Sequence, residues 1–364
     1  MTTAVSEPVI LDFEVDLTTT LGDTRERMLA AGFEGGADGF GGGNGISSTS
    51  DDRRLFDLTW TLAEGNRHLT TARIDRLALT LSPSWGTVRI GRQAVTWGGG
   101  LAFNPFDLFN PFAPSDIARD FKTGDDMIFL DLPRDTGGIQ ILGVARRDPA
   151  SGSVAADQTS VAGQYQTILG DAEVFALAAW HYGQPVIGAG LSGLAGGTTW
   201  RIDATWNRIE SDFGPETADY FALVANLQYS WAWAGKNIYG FFEYYHNGLG
   251  EEDYAAALED PFVLTAMARG SLFVLGSNYG VISAQIEWHP LVNFYISAIT
   301  NLEDPSALLQ PRVVWDASQQ FQLTFGLDIP IGGDGTEFGG FSPAGLPGTT
   351  RGPTSAYCWG TWNF

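Results

Sequence analysis

Lysine is almost missing from this chain: Lys122 and Lys236 are the only two among 364 residues. With arginine, the basic total reaches 20 against 42 acidic side chains, a formal charge of −22. That balance excludes nucleic acid as a partner, because phosphate backbones are held by a Lys/Arg surface. Cysteine is rarer still. Cys358 stands alone, which excludes an intrachain disulfide and any cysteine-cluster metal site. The four histidines (His68, His181, His246 and His289) have no His-x-x-x-His or Glu-x-x-His spacing. No Gly-x-Ser-x-Gly elbow occurs, and the glycine-rich "GGADGFGGGNG" lacks the Gly-Lys-Ser/Thr ending of a phosphate loop, so it reads as linker. The expectation is a protein with no catalytic residues, no metal and no cofactor.

Sustained apolar runs are missing too. Residues 174–200 carry no Asp, Glu, Lys or Arg, long enough to span a bilayer as a helix. Six glycines and a proline break that stretch, so no helical membrane span is expected. The N-terminus, "MTTAVSEPVI", shows neither a basic nor an apolar export region. It fits a cytoplasmic chain, and equally a mature chain whose signal has been removed.

What fills the chain is alternation. "VILDFEVDL" sets Leu11, Phe13, Val15 and Leu17 against Asp12, Glu14 and Asp16. "RLFDLTWTL" sets Phe56, Leu58, Trp60 and Leu62 against Asp57, Thr59 and Thr61. "VISAQIEWH" and "TTWRIDATWN" repeat the pattern. A period of two is the signature of strands. These runs match the roughly 9–11 residues of a tilted membrane-crossing strand better than the 5–6 of a soluble one. Tryptophans cluster at the ends of the apolar faces: Trp231, Trp233, Trp288 and Trp315 before short turns, with Trp180 and Tyr182 at the opposite end. Aromatic girdles around an apolar band are what membrane interfaces select. Short turns alternate with longer, often acidic links such as 94–125, 147–157, 208–218, 248–268 and 331–354. The predicted fold is all-β: one antiparallel up-and-down β-barrel over residues 1–364, of about 18 strands, with 16 as the alternative. The glycine-rich link at 24–52 is the irregular point. The last residues, with Trp362 and Phe364, fit the terminal aromatic signal read by the outer-membrane barrel assembly machinery.

One segment fits neither strand nor ordinary loop. "WGGGLAFNPFDLFNPFAPSD" (97–116) holds four phenylalanines and two Asn-Pro-Phe triplets. Four phenylalanines in water would be an aggregation hazard, so the loop is expected to fold inward as a constriction or plug. Asn104 and Asn110 are expected to cap two short helical turns, with Pro105 and Pro111 at the first helical position and Asp107 near the positive end. Trp97, Phe103, Phe106, Phe109 and Phe112 complete the candidate loop. By parity Arg76, Arg89, Arg201, Asp203, Glu243, Glu287 and Arg312 point inward. Arg89, Arg92 and Arg119, with Lys122 nearby, form the positive side of an expected eyelet facing Asp107, Asp125 and Asp126. The competing reading of such charges is a set of ion pairs that neutralise one another.

The block "RIGRQAVTWGGGLAFNPFDLFNPFAPSDIARDFKTGDDM" resembles a broad family of Gram-negative outer-membrane barrels akin to alginate-export and capsule-assembly proteins. The likeness rests on Gly91-Arg92-Gln93, Trp97-Gly98-x-Gly100, Asn104-Pro105-x-Asp107, Asn110-Pro111, Arg119 and Lys122. Residues 239–250, 269–276 and 301–311 are also similar. The resemblance implies an outer-membrane β-barrel, in contact with outer-membrane lipid and lipopolysaccharide. The acidic balance departs from what export of an acidic polysaccharide would require. Three functional readings follow. The first is a porin-like channel passing or exporting a small polar or polymeric solute through a constricted lumen. The second is a non-conducting barrel partnering an envelope lipid or polymer transport assembly. The third is a soluble glycan-binding β protein.

Overall fold

The computed structural model of the chain describes residues 9–21, 51–116, 122–342 and 349–362. They form one antiparallel sheet of 17 strands, two short α-helices and a 3-10 turn at Pro114–Asp116. The first strands are β1 (Val9–Leu21), β2 (Thr59–Gly65), β3 (His68–Leu81) and β4 (Thr87–Gln93). After a long loop come β5 (Asp125–Arg134), β6 (Gly137–Val144), β7 (Ser160–Leu169), β8 (Ala172–His181), β9 (Gln184–Ala195) and β10 (Thr198–Glu210). β11 (Thr217–Trp233) and β12 (Lys236–Asn247) lead to helices α1 (Tyr254–Ala257) and α2 (Pro261–Ala268). β13 (Asn278–His289), β14 (Val292–Asn301), β15 (Ala307–Asp316), β16 (Phe321–Ile331) and β17 (Ser355–Trp362) follow.

A strand has two edges, and β3 uses both in full. β1 pairs with its whole length, so β2 (over His68–Arg73) and β4 (over Leu77–Leu81) must share the opposite edge. β2 and β4 therefore lie end to end, and the sheet is sixteen strands wide. The described residues thus hold 17 strands in sixteen places, against an expectation of about 18 with 16 as the alternative. From β4 each strand pairs with the next as far as β17. β1 and β2 run in the same direction, so they are not a hairpin, and Phe56 and Leu58 precede the strand in which they were expected. Among the described residues no ladder joins the outer edge of β1 to β17. The 24–52 link lies, but for Asp51 and Asp52, outside the described residues, as do Arg119 and Phe364.

The turns fall where the alternation put them. Residues 135–136, 170–171, 196–197, 234–235 and 290–291 close one rim. Loops 94–124, 145–159, 211–216, 248–277 and 332–354 crowd the other. In β13, Val281 is fully buried, Ile282 is 62% exposed and Ser283 is buried again, so the two faces differ as period two demands. One face is apolar and bare: Ile90, Ile128, Val161, Ile187, Phe242 and Phe294 are all exposed on it. Trp231, Trp233, Trp288 and Trp315 stand exposed toward the short-turn rim and Trp180 toward the other. Tyr182 does not join that girdle. It sits in a left-handed turn (φ 48°), is buried, and lies under the guanidinium groups of Arg146 and Arg269.

The opposite face is not the wet polar wall that alternation suggested. Met127, Phe129, Leu142, Phe175 and Leu177 are buried there against Trp97, Phe106 and Phe109 of the long loop. This explains the uncharged run at 174–200. β8 and β9 bare apolar side chains on one face and bury apolar side chains on the other. A strand apolar on both faces shows no alternation and needs no charge.

In β17 the alternation is sharp: Tyr357 and Trp359 stack on one face, ring centroids 4.8 Å apart, while Cys358 is exposed on the other. Trp362 is exposed too, its ring 5.7 Å from Phe321. We expect a lipid-soluble maleimide to label Cys358, and a thiol introduced by Tyr357→Cys in a Cys358→Ser background to stay unlabelled. Equal labelling of the two would contradict the assigned faces.

Candidate functional site

The loop between β4 and β5 runs across the inner side of the sheet. Trp97, Phe106 and Phe109 pack on β5 to β9 in one buried cluster. Ala102 and Phe103 join a second cluster with Val224, Tyr245, Val281, Ile299 and Leu308 on β11 to β15. The loop thus bridges two arcs of one sheet, which has to curve around it.

Main-chain hydrogen bonds to wall carboxylates hold it there. Gly99 N donates to Asp203 Oδ2 (2.9 Å). Leu101 N donates to Glu243 Oε2 (2.6 Å), and Ala102 N and Phe103 N donate to Oε1 (3.0 and 2.8 Å). Asn226 Nδ2 donates to Gly99 O at 2.9 Å, and more distantly to Glu243. Trp97 Nε1 donates to Gln140 Oε1 (2.6 Å), and Gln310 Nε2 reaches Ser115 O at 2.8 Å. Asp203 and Glu243 are both fully buried. A buried carboxylate is costly unless its lone pairs are filled; here loop N–H groups supply the donors for Glu243. Two glycines make the approach possible. Gly98 takes φ +76°, and Gly99 lies so close to the Arg201 guanidinium that a Cβ would overlap it.

The two expected helical turns are absent. Asn104 to Asp107 form a single tight turn closed by Asp107 N donating to Asn104 O (3.0 Å), with Pro105 in its second position. Asn104 Oδ1, the atom that would cap a helix, accepts no hydrogen bond among the described residues, while Nδ2 donates to Trp97 O (2.8 Å). Asn110 adopts φ +52°, outside the extended region a cap requires. Phe103 stacks face to face on Tyr245 with centroids 4.3 Å apart, Phe106 is fully buried, and Phe112 is only partly so.

The charges expected to form an open eyelet are joined in pairs. Arg92 holds Asp126 (2.9 Å) and Asp51 (3.0 Å), and its second NH group reaches Phe56 O. Arg146 pairs with Asp125, and Lys122 pairs with Asp107 while also donating to Val95 O (2.5 Å). Every one of these groups except Phe56 and Val95 is a buried ion-pair member. Arg76 pairs with the Asp75 carboxylate and also donates to the main-chain carbonyls of Asp75 and Lys122. The remaining inward charges lie away from the loop's ion pairs. Arg89 stands over Phe129 (4.8 Å), Arg201 over Phe175 (5.2 Å) and Arg312 over Tyr295 (4.2 Å). Glu287 accepts from Asn237 (2.9 Å) beside a rim cavity of about 470 Å³ that Ser230, Tyr239 and Gln285 also line. Asp51, Arg146, Gln140, Asn226 and Gln310 were not anticipated. The last three sit at inward positions on their strands, where parity could have flagged them. Asp51 precedes its strand and carried no signal.

One pair resembles a catalytic dyad. Ser160 Oγ lies 3.1 Å from His181 Nδ1. The same oxygen already accepts from Arg146 (3.0 Å) and Tyr182 N (3.2 Å), and Ser160 is almost fully buried. It is a saturated hydrogen-bond hub rather than an accessible nucleophile.

No family model matches the chain, and no curated protein sequence matches it. Among solved structures, the in-vitro folded OmpT of Vibrio cholerae, an outer membrane protein in trimer form, aligns over 97% of this chain and 97% of its own at 10% identity and a TM-score of 0.36. Outer-membrane expressed OmpT of Vibrio cholerae aligns over 83% and 85% at 9% identity, again with a TM-score of 0.36. Identity of this order leaves function to the site itself.

Two outcomes follow from the geometry. Glu243→Gln removes the charge and puts an NH₂ where an acceptor was. It should cost about 2–3 kcal/mol, read as a lower unfolding midpoint in detergent and faster proteolysis within 97–115. The second concerns Asp107. Burial, only partly offset by Lys122, pushes its carboxyl up to about 6, and burial likewise lowers the Lys122 ammonium. With its folded value above the unfolded one, Asp107 contributes stability at low pH that is lost as pH rises through about 6. Lys122→Met raises that folded value further, so its destabilisation should be small at pH 5 and grow toward pH 8. Unfolding midpoints measured at both pH values check this; a pH-independent effect would contradict it.

Proposed function

We propose that the chain is an outer-membrane β-barrel of a Gram-negative envelope, closed between β1 and β17, and that it works as a porin-like channel stoppered by its own 94–124 loop. The bare apolar face, with tryptophans toward both rims, supports placement in a bilayer. Short turns on one rim and long loops on the other support the outer-membrane type. The observation that carries the channel reading is the loop's attachment. It is held across the interior by main-chain bonds to Asp203 and Glu243, not fused to the wall as a strand. Polar groups such as Gln285 and Glu287 line the cavity at the short-turn rim. The solute class is small and polar or polymeric, and the reading includes no enzymatic step. Export of an acidic polymer is disfavoured by the −22 charge.

The second reading, a non-conducting barrel that partners an envelope lipid or polymer assembly, is favoured by the apolar packing on both sides of the loop. Planar-bilayer recordings separate the two. The channel reading expects little conductance from the intact protein and a large increase on deleting residues 98–114. Silence from both, with the deletion variant folded, would leave the partner reading. Recovery of the intact folded protein in the aqueous phase of a detergent phase separation would overturn the membrane placement itself.

A further inference from the structure

The cavity at the short-turn rim holds about 470 Å³, and no residue of the 94–124 loop lines it. That volume falls in the range of small-molecule sites, roughly 300–1,000 Å³. Five polar side chains line it: Ser230 from β11, Asn237 and Tyr239 from β12, and Gln285 and Glu287 from β13. Register brings them to one face, since Ser230 pairs with Tyr239 and Tyr239 with Gln285.

The wall is fixed by its own hydrogen bonds, and these leave mostly acceptors open. Asn237 Nδ2 donates to Glu287 Oε2 (2.9 Å), and Gln285 Nε2 to Asn293 Oδ1 (3.3 Å). The Tyr239 hydroxyl donates to Gln228 Oε1 (2.9 Å), and Gln228 Nε2 donates on to Asn226 Oδ1 (3.3 Å). Asn226 in turn holds Gly99 O, so this chain of bonds ends on the loop. Among the described residues nothing donates to Asn237 Oδ1, Gln285 Oε1, Glu287 Oε1 or the hydroxyl oxygens of Ser230 and Tyr239. Each amide keeps one N–H, so acceptor capacity exceeds donor capacity. Glu287 is the only charged group among the lining residues. Basic side chains of the surrounding strands are engaged elsewhere: Arg312 stacks over Tyr295, Arg201 over Phe175, and Lys236 over Trp288 on the outer face.

We propose that this cavity binds a small polyhydroxylated primary ammonium compound of the amino-sugar type, its ammonium on Glu287 and its hydroxyls on the amide and hydroxyl oxygens. Glu287 supplies the counter-charge, and a charge-assisted hydrogen bond is stronger than a neutral one. The spread of the acceptors sets the size. Strands lie about 4.8 Å apart, so β11 to β13 cover about 10 Å, and Gln285 and Glu287 are about 7 Å apart along β13. One bare ion does not bridge that span, whereas a single sugar ring with its substituents does. A calcium ion would also need about six to eight close oxygen ligands. An acidic sugar meets the Glu287 carboxylate with like charge, and an apolar solute leaves the acceptors unfilled. The inference deepens the channel proposal by naming a solute class, and its role in passage rests on that reading. The binding itself does not.

Saturation-transfer NMR titrations of the intact detergent-solubilised protein, referenced to empty micelles, test it with glucosamine, glucose, glucuronate and ethanolamine. The pH is kept below the pKa of the amines. Saturable binding of glucosamine is expected, with glucose and ethanolamine at least about tenfold weaker, a difference of 1.4 kcal/mol. Glucuronate should not bind. Added salt should weaken glucosamine and leave glucose unchanged. Glu287→Gln should lower glucosamine affinity about tenfold, to the level of glucose, without changing glucose itself. Its unfolding midpoint should hold, because Glu287 is only partly buried and glutamine still offers Asn237 a carbonyl oxygen. Gln285→Leu should weaken both sugars. No saturable glucosamine binding, equal affinity for glucosamine and glucose, or undiminished binding in Glu287→Gln overturns the site. Glucosamine binding by the intact protein, with a silent 98–114 deletion variant, would retain the site and remove the channel reading. Conductance without glucosamine binding would do the reverse.

Discussion

Glu243 accepts three successive main-chain N–H groups from Leu101, Ala102 and Phe103, and the interior is organised around that contact. Both partners need it. The loop backbone has left the sheet and must satisfy its donors away from water. The carboxylate is buried on β12 and must have its lone pairs filled. Neither the strand nor the loop could hold its polar groups in this position alone. Once the three bonds form, Phe103 is delivered onto Tyr245 and Gly99 onto Asp203, and the loop reaches from one arc of the sheet to the other.

The rest of the loop is fixed by the same logic of mutual satisfaction. Lys122 neutralises Asp107, Arg92 neutralises Asp126 and Asp51, and Arg146 neutralises Asp125. These pairs sit where β4 and β5 lose contact with each other, so charge pairing takes over from the ladder as the loop begins and ends. They are specific rather than strongly stabilising, since desolvation offsets much of a buried pair's attraction. Their effect is to allow one arrangement of the loop ends while the apolar clusters supply the packing.

The sheet consequently has one apolar outer face and one inner face where the loop takes up both apolar and polar groups. One is bare along the sheet. The other is dry only where the loop covers it, and turns polar toward the short-turn rim, at Gln285 and Glu287. β3 shows how the chain adapts to the loop. When β4 leaves the sheet at Gln93, the open half of β3's edge is taken by β2, and Asp51 is brought to Arg92.

Strand spacing, the order of short and long connections, and the outward or inward sense of each strand residue were legible from alternation, because period two is a local property of the chain. The phenylalanines of 97–116 announced that the loop must be buried, since apolar side chains cannot stay in water. The sequence pattern could not show that β1 and β2 flank β3, that Asn104 would hold Trp97 O through its amide nitrogen and cap no helix, or that the expected eyelet charges would pair off. Those outcomes depend on contacts between residues far apart in the chain. A hydrogen bond from Ala102 to Glu243 spans 141 positions, and no periodicity encodes which distant carboxylate a loop N–H will meet. Local alternation therefore specified the wall, and long-range satisfaction of buried polar groups decided what the wall encloses.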